Sequence, residues 1–187
     1  QVWDDVDASD EGVTDLGADN TLGYEITMNG ITASASYARM GTGTDNSIVL
    51  IANDLVDGAT FGIGSGTNVI SNTSEDDMTT AWATYTTGPV TMGVQLSEID
   101  KTAADSDVDR EHVAVSFAVN ENLSISYGMS NVKYESASKS DEESSGFSAS
   151  YTMGSMTLGA VANKSDSLLG TAGTDRTFTE VSLAFAF

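Results

Sequence analysis

The chain has 187 residues, of which 40% are hydrophobic and 19% are charged, and 28 acidic against 7 basic side chains give a net charge of −21. The apolar fraction is sufficient for a folded domain, and the strong acidity argues against nucleic acid as a partner. With 18 glycines, one proline and no cysteine, the chain is suited to strands and glycine turns and has neither disulfide bonds nor thiol metal sites. No apolar run approaches the roughly 18 to 20 residues that a membrane-spanning helix needs.

From Asn20 onward, larger apolar residues alternate with small or polar ones in segments of about ten residues, each closed by a turn signal. The segments predict an all-β fold of eleven antiparallel strands. The sequence Asn29-Gly30 between two such segments is a strong hairpin signal. The predicted tight turns are residues 29–30, 57–58, 88–89, 120–122 and 154–155.

The connections between these hairpins are predicted to be longer, polar and mostly acidic. They comprise residues 41–45, 71–77, 100–109, 136–143 and 164–175. A strict alternation of tight turns with long polar loops is typical of up-and-down transmembrane barrels, whereas Greek-key sandwiches mix loop lengths at both ends. The pattern therefore favours an antiparallel transmembrane β-barrel.

The two faces of the predicted strands differ in a way that supports the same fold. Val113, Val115 and Phe117 alternate with His112 and small residues, and several other strands repeat this pattern. Serine and glycine do not build an apolar core, so the larger residues are expected to face lipid and the small or polar ones to line water. Without lipid, five of the apolar residues should be solvent-exposed: Val115, Phe117, Ile125, Leu183 and Phe185.

The inward parity of the strands selects candidate residues for the lining of a pore. They are Glu25, Gln95, Arg110, His112, Asn163, Arg176 and Glu180. Arg39 shares the parity of the apolar residues in its strand and is a weaker candidate.

Catalysis is not predicted, because the only histidine, His112, lies about 13 Å along a strand from Ser116, the serine of matching parity. Asp105, Asp107 and Asp109 form an acidic run that is a candidate Ca²⁺ site, although the EF-hand pattern is incomplete. No other cofactor is expected. A soluble or surface-layer β-rich structural or adhesin module remains an alternative.

The C-terminal segment, residues 181–187, alternates apolar with small residues and ends in Phe187. This ending resembles the C-terminal signature of bacterial outer-membrane proteins, which implies that Phe185 and Phe187 form a signal for the barrel-assembly machinery. Together with Asn29-Gly30, the glycine-rich strands and the acidic loops, the chain resembles a general-diffusion porin of the alphaproteobacterial type, similar to the Rhodobacter porins.

That resemblance implies a homotrimer of sixteen-stranded barrels in the outer membrane, surrounded by lipid and lipopolysaccharide, with a constriction loop after the fifth strand. Residues 20–187 would then be the strands that follow this loop, and residues 1–19 would be its tail. The resemblance places five carboxylates of that tail on the acidic side of the pore: Asp4, Asp5, Asp7, Asp10 and Glu11. Preceding strands would pair with the segments near residues 21–28 and 177–187. The expected function is passive diffusion of small hydrophilic solutes through a cation-preferring channel.

Overall fold

The computed structural model describes residues 21–40, 43–53, 55–71 and 73–186. These residues form eleven β-strands and one short 3-10 turn, Leu168–Gly170. The strands are β1 (Thr21–Met28), β2 (Ile31–Met40), β3 (Gly43–Asn53), β4 (Ala59–Ser71), β5 (Ser74–Thr87), β6 (Val90–Lys101), β7 (Val108–Ala118), β8 (Leu123–Tyr134), β9 (Glu142–Met153), β10 (Met156–Asp166) and β11 (Arg176–Phe185). Within the described ranges, no helix is long and apolar enough to cross a membrane.

Each strand pairs antiparallel with its neighbour in the chain, so that the sheet runs from β1 to β11 in sequence order. The predicted all-β, up-and-down fold is confirmed, as are the tight turns at residues 29–30, 88–89 and 154–155. The turns at 57–58 and 120–122 lie in longer connections than predicted, because β3 ends at Asn53 and β7 ends at Ala118. In the part of the chain that the structure describes, β1 pairs only with β2 and β11 only with β10. These two strands are the edges of the sheet and do not close on each other. The strands expected to cover them remain a prediction.

The register divides the side chains into two faces, because residues that lie directly opposite each other on adjacent strands point to the same side. Ala81, Leu96 and Glu111 lie opposite one another on one side of β5–β7. Thr80, Ser97 and Arg110 lie opposite one another on the other side. We call the side of Leu96 the apolar face and the side of Ser97 the polar face, and the register carries both faces from β1 to β11.

The apolar face is open to the surroundings. Val115 is 42% exposed and Leu183 is 54% exposed, and Phe117 and Phe185 are also exposed. Ile125 is half-buried, so four of the five residues expected to be exposed are so. No large side chain among the described residues is fully buried. The sheet therefore lacks the apolar core of a soluble sandwich, and its larger apolar side chains need another apolar phase to cover them.

Two of the predicted long loops are wrong. Residues 41–45 and 71–77 largely belong to strands, because β3 begins at Gly43 and β5 begins at Ser74. Acidic side chains here support pairing rather than interrupt it: the Asp45 carboxylate accepts a hydrogen bond of 2.7 Å from the backbone N–H of Val69. The other three connections at this end are longer, at residues 102–107, 135–141 and 167–175. We refer to this end of the sheet as the loop end.

The turn glycines differ in what surrounds them. Gly58 has φ 74°, its carbonyl accepts a hydrogen bond of 2.7 Å from the N–H of Thr86, and a Cβ at Gly58 would overlap the carbonyl oxygen of Thr86. Gly154 also has positive φ, 63°, but nothing lies within 4 Å of the position of its Cβ. The positive φ favours glycine in both turns. At Gly58, the close approach of the Thr86 carbonyl on β5 also leaves no room for a side chain.

We therefore expect Gly58→Ala to destabilise the fold more than Gly154→Ala. The left-handed conformation costs an alanine about 1–2 kcal/mol, and displacement of the Thr86 carbonyl should add about 1 kcal/mol or more at Gly58. Urea titrations of the refolded protein, followed by circular dichroism, measure both changes. Equal losses in the two variants would contradict the steric contribution.

Candidate functional site

The predicted pore-lining residues in the strands share the polar face. One row of directly opposite residues crosses the sheet from Thr27 on β1 to Arg176 on β11, and Gln95 and His112 are adjacent within it. A parallel row begins at Glu25 and includes Arg110. The same register places Asn163 and Glu180 on this face. The structure thus brings all seven strand candidates to one surface.

Cross-strand hydroxyl pairs form much of this surface. Every pair joins side chains that lie directly opposite each other on neighbouring strands, at 2.6–3.2 Å between the oxygen atoms. The pairs are Thr27–Thr32, Ser36–Ser47, Thr80–Ser97, Thr86–Thr91, Ser126–Ser148, Ser144–Ser165 and Thr152–Thr157. A hydroxyl donates once and accepts through two lone pairs, so a paired hydroxyl keeps capacity for water. The polar face is therefore wettable as well as internally bonded.

A small network surrounds the centre of β6 on the polar face. The half-buried Gln95 donates from Nε2 to Ser97 Oγ at 3.2 Å and to Thr80 Oγ1 at 3.4 Å. These contacts hold the Gln95 amide against Thr80 and against Ser97, which lies directly opposite Arg110, so the middle of the polar face presents hydrophilic groups.

Charges are unevenly distributed on the polar face. Arg110 and His112 lie on β7, in the middle of the sheet, whereas Glu25 and Glu180 lie on the two edge strands. Arg176, at the beginning of β11, adds a positive charge near the loop end. Among these candidates, the positive charge of Arg110 thus lies at the middle of the sheet and the two carboxylates lie at its edges.

Much of the acidity lies elsewhere, on the apolar face near the loop end. There Asp77 lies directly opposite Asp100, and Glu98 lies directly opposite Asp109. Like charges in directly opposed positions weaken strand pairing, and water or counter-ions are needed to screen their repulsion. The net charge of the chain consequently overstates the acidity of the polar face.

Several residues that shape the polar face were not predicted. Trp82 lies opposite Gln95, and its indole occupies the space that a Cβ at Gly62 would fill. Near the loop end, an apolar cluster interrupts the polar character of this face: Met78, Ile99, Val108 and Val132, with Tyr134 packed against it. Trp82 follows the period-two pattern of β5, but the predicted lining comprised only charged, imidazole and amide side chains.

The remaining candidates lie elsewhere. Asp4, Asp5, Asp7, Asp10, Glu11 and Phe187 are outside the described residues. Arg39 lies on the apolar face, opposite Thr44, as its parity indicated. Phe185 is exposed on the apolar face at the end of β11, opposite Met156.

The candidate calcium ligands do not converge. Asp107 accepts a hydrogen bond of 2.8 Å from the N–H of Lys101, Asp105 lies in the exposed connection with φ 55°, and Asp109 lies on the apolar face of β7. Over the described ranges, no group of three or more His, Cys, Asp or Glu side chains is placed to hold a metal ion. Calcium at these aspartates remains a prediction that the geometry does not support.

Known proteins share this architecture. The family described as Gram-negative porin matches residues 3–187. No curated protein sequence matches the chain significantly. In-vitro folded OmpT, an outer membrane protein of Vibrio cholerae, is similar with a TM-score of 0.64 at 14% identity, covering 89% of this chain and 64% of that chain.

Two further solved structures are similar at the same identity. The trimer form of OmpT gives a TM-score of 0.65 at 14% identity, covering 90% of this chain and 65% of its own. The NanC porin gives 0.57 at 14% identity, covering 89% of this chain and 92% of its own. The chain therefore spans about two thirds of the OmpT chains, and these likenesses concern the fold.

Proposed function

Because the chain belongs to the Gram-negative porin family and is a porin of the bacterial outer membrane, we propose that its polar face lines a water-filled channel for passive diffusion of small hydrophilic solutes. The observation that carries this proposal is the division of one continuous sheet into two faces. The apolar face exposes large aliphatic and aromatic side chains, while the polar face presents paired hydroxyls, glycines and a few charges. Lipid outside and water inside satisfy both faces.

The channel is proposed to prefer cations weakly. Support comes from the carboxylates of Glu25 and Glu180 on the polar face and from the acidic loop end, which together attract cations and repel anions. Arg110 and Arg176 oppose this effect locally. Because charges at the mouth are screened over about 8 Å at physiological ionic strength and about 3 Å at 1 M salt, their part of the preference should fade as salt rises.

Assembly is proposed to follow the pattern of the solved relatives. OmpT has been described in a trimer form, and a homotrimer of this protein is proposed on that similarity. Outer-membrane lipid would cover the apolar face, and lipopolysaccharide would meet the carboxylates near the loop end through divalent ions. Phe185 and Phe187 are proposed as the signal for the barrel-assembly machinery, and residues 1–19 as the tail of the constriction loop. The alphaproteobacterial type is likewise proposed from the resemblance in sequence.

No enzymatic activity is proposed. His112 and Ser116 point to the same side of β7 but are four positions apart, about 13 Å along the strand, which is beyond hydrogen-bond reach. Diffusion through a channel requires no nucleophile or base. Diffusion requires a wall that water wets and an electrostatic field from charges on that wall, and the polar face can provide both.

The proposal is tested by recording single channels of the full protein in planar lipid bilayers. We expect ohmic, long-lived openings and, under a KCl gradient around 0.1 M, a reversal potential of the sign that indicates cation preference, decreasing towards 1 M. An absence of conductance would overturn the channel proposal. Conductance with anion preference at low salt would overturn only the proposed carboxylate field.

Reversing one charge on each face separates the effect of charge on the polar face from the effect of net charge on selectivity. Arg110→Glu should shift the reversal potential further towards cation preference, because it places a carboxylate at the middle of the polar face. Arg39→Glu changes the net charge by the same amount on the apolar face and serves as the matched control. Equal shifts in the two variants would show that net charge, not the polar face, determines selectivity.

A further inference from the structure

The β10–β11 loop, residues 167–175, folds away from the two strands that it joins. Its 3-10 turn, Leu168–Gly170, packs against β8 and β9. Leu168 and Gly170 are buried, and the carbonyl of Gly170 accepts a hydrogen bond of 3.0 Å from the N–H of Ser140 in the β8–β9 connection. The loop therefore reaches back across the end of β10.

A single carboxylate, that of Glu142, fixes the loop in this position. Glu142 is the first residue of β9 and is only 3% exposed. Its Oε2 accepts a hydrogen bond of 2.8 Å from the N–H of Leu169 and one of 3.4 Å from the hydroxyl of Tyr134. Its Oε1 accepts a hydrogen bond of 3.3 Å from Ser165 Oγ. One side chain thus joins β8, β10 and the loop.

The register shows on which side of the sheet this junction lies. Glu142 is directly opposite Val132, which is directly opposite Arg110 on the polar face. Since the Glu142 side chain points to the polar face and bonds the backbone of Leu169, the loop lies on the polar side of the sheet. It covers part of the surface that otherwise faces the lumen.

The loop backbone would not be expected to adopt this shape without support. Ser167 and Leu169 have φ of 57°, a region that non-glycine residues enter at a cost and mainly where the surroundings hold them. The Leu169 N–H is bonded to the buried carboxylate, and the Ser167 N–H donates to Asp175 Oδ1 at 3.2 Å. Removal of the carboxylate would take away the acceptor of this part-buried Leu169 N–H and release the turn.

From these contacts we infer that Glu142 is a positioning residue that holds the β10–β11 loop over the polar face and thereby limits the size of solutes that enter the channel. The inference rests on the proposed channel function. Because the polar wall is formed by rigid paired strands, a loop folded onto it reduces the open cross-section directly. Glu142 itself is buried and need not touch the solute.

The test compares Glu142→Ala with two related variants of the full protein reconstituted in liposomes. Swelling rates with neutral sugars of increasing size measure the size limit, and single-channel conductance measures the open cross-section. Glu142→Ala should admit sugars near the limit on the order of twofold faster and raise conductance. Glu142→Gln retains an oxygen that can accept from Leu169 and should restore rates close to those of the unaltered protein.

Glu143→Ala is the matched control, because it removes the adjacent carboxylate from the apolar face. It should leave the size limit unchanged. A general loss of negative charge would instead affect Glu142→Gln and Glu143→Ala as much as Glu142→Ala, and this result would overturn the positioning role.

A second variant keeps the inference falsifiable if Glu142→Ala does not fold. Replacement of residues 168–173 by a short Gly-Ser link leaves the pairing of β10 with β11 intact and removes the turn. It should raise the size limit as Glu142→Ala does, and the two changes combined should add nothing further. An unchanged size limit without the loop would overturn the inference while the conductance still supported the channel. An absence of conductance in the unaltered protein would overturn the proposed function itself.

Discussion

Backbone hydrogen bonding between neighbouring strands is the constraint on which the rest of this structure depends. In hydrocarbon, each unpaired N–H or C=O group costs several kcal/mol, so a chain that crosses a bilayer as strands must satisfy these groups within the sheet. Every internal strand of the sheet is paired on both sides, from β2 to β10. The edges β1 and β11 each have one paired side among the described residues, so assembly in a membrane requires partners for them.

Continuous pairing also fixes the register, and the register fixes which residues meet water. A shift by one residue would exchange the two faces of a strand and would move Val113 and Val115 from the apolar face to the polar face. Cross-strand contacts resist that shift. The hydroxyl pair Ser126–Ser148 and the contact of Trp82 with Gly62 both depend on residues being directly opposite. The same alignment that stabilises the sheet thus creates a wall with a defined arrangement of charge.

The sequence predicted the centre of the sheet better than its ends. Alternation along β7 and the turn at residues 154–155 are local patterns, and period two identifies both the strand and its faces without knowledge of the partner strands. At the loop end, Asp45 and Asp76 look like loop residues because acidic side chains are rare in strands, yet they lie within paired segments. Their placement depends on contacts with other strands, such as that of Asp45 with Val69, which no local pattern contains.

Glu142 illustrates the same limit for the site. In the sequence, Glu142 lies between Asp141 and Glu143, and such an acidic run indicates a solvated loop. Only the fold shows that its side chain is buried and accepts a hydrogen bond from Leu169, 27 positions away. By contrast, Arg110 and His112 were identified from parity alone, since one regular strand determines their side. Charged residues in the middle of regular strands were therefore predictable. Those near the strand ends, such as Asp45 and Asp76, and Glu142, which holds a loop onto the sheet, were not.

The central claim is that one face of each strand meets water and the other meets lipid. Since the chain contains no cysteine, single cysteines can be placed at six successive positions of β7, residues 112–117, and exposed to a charged, membrane-impermeant thiol reagent in liposomes. The two-face account predicts labelling at 112, 114 and 116 and protection at 113, 115 and 117. Labelling that is uniform along the strand, or that favours the odd-numbered positions, would contradict it.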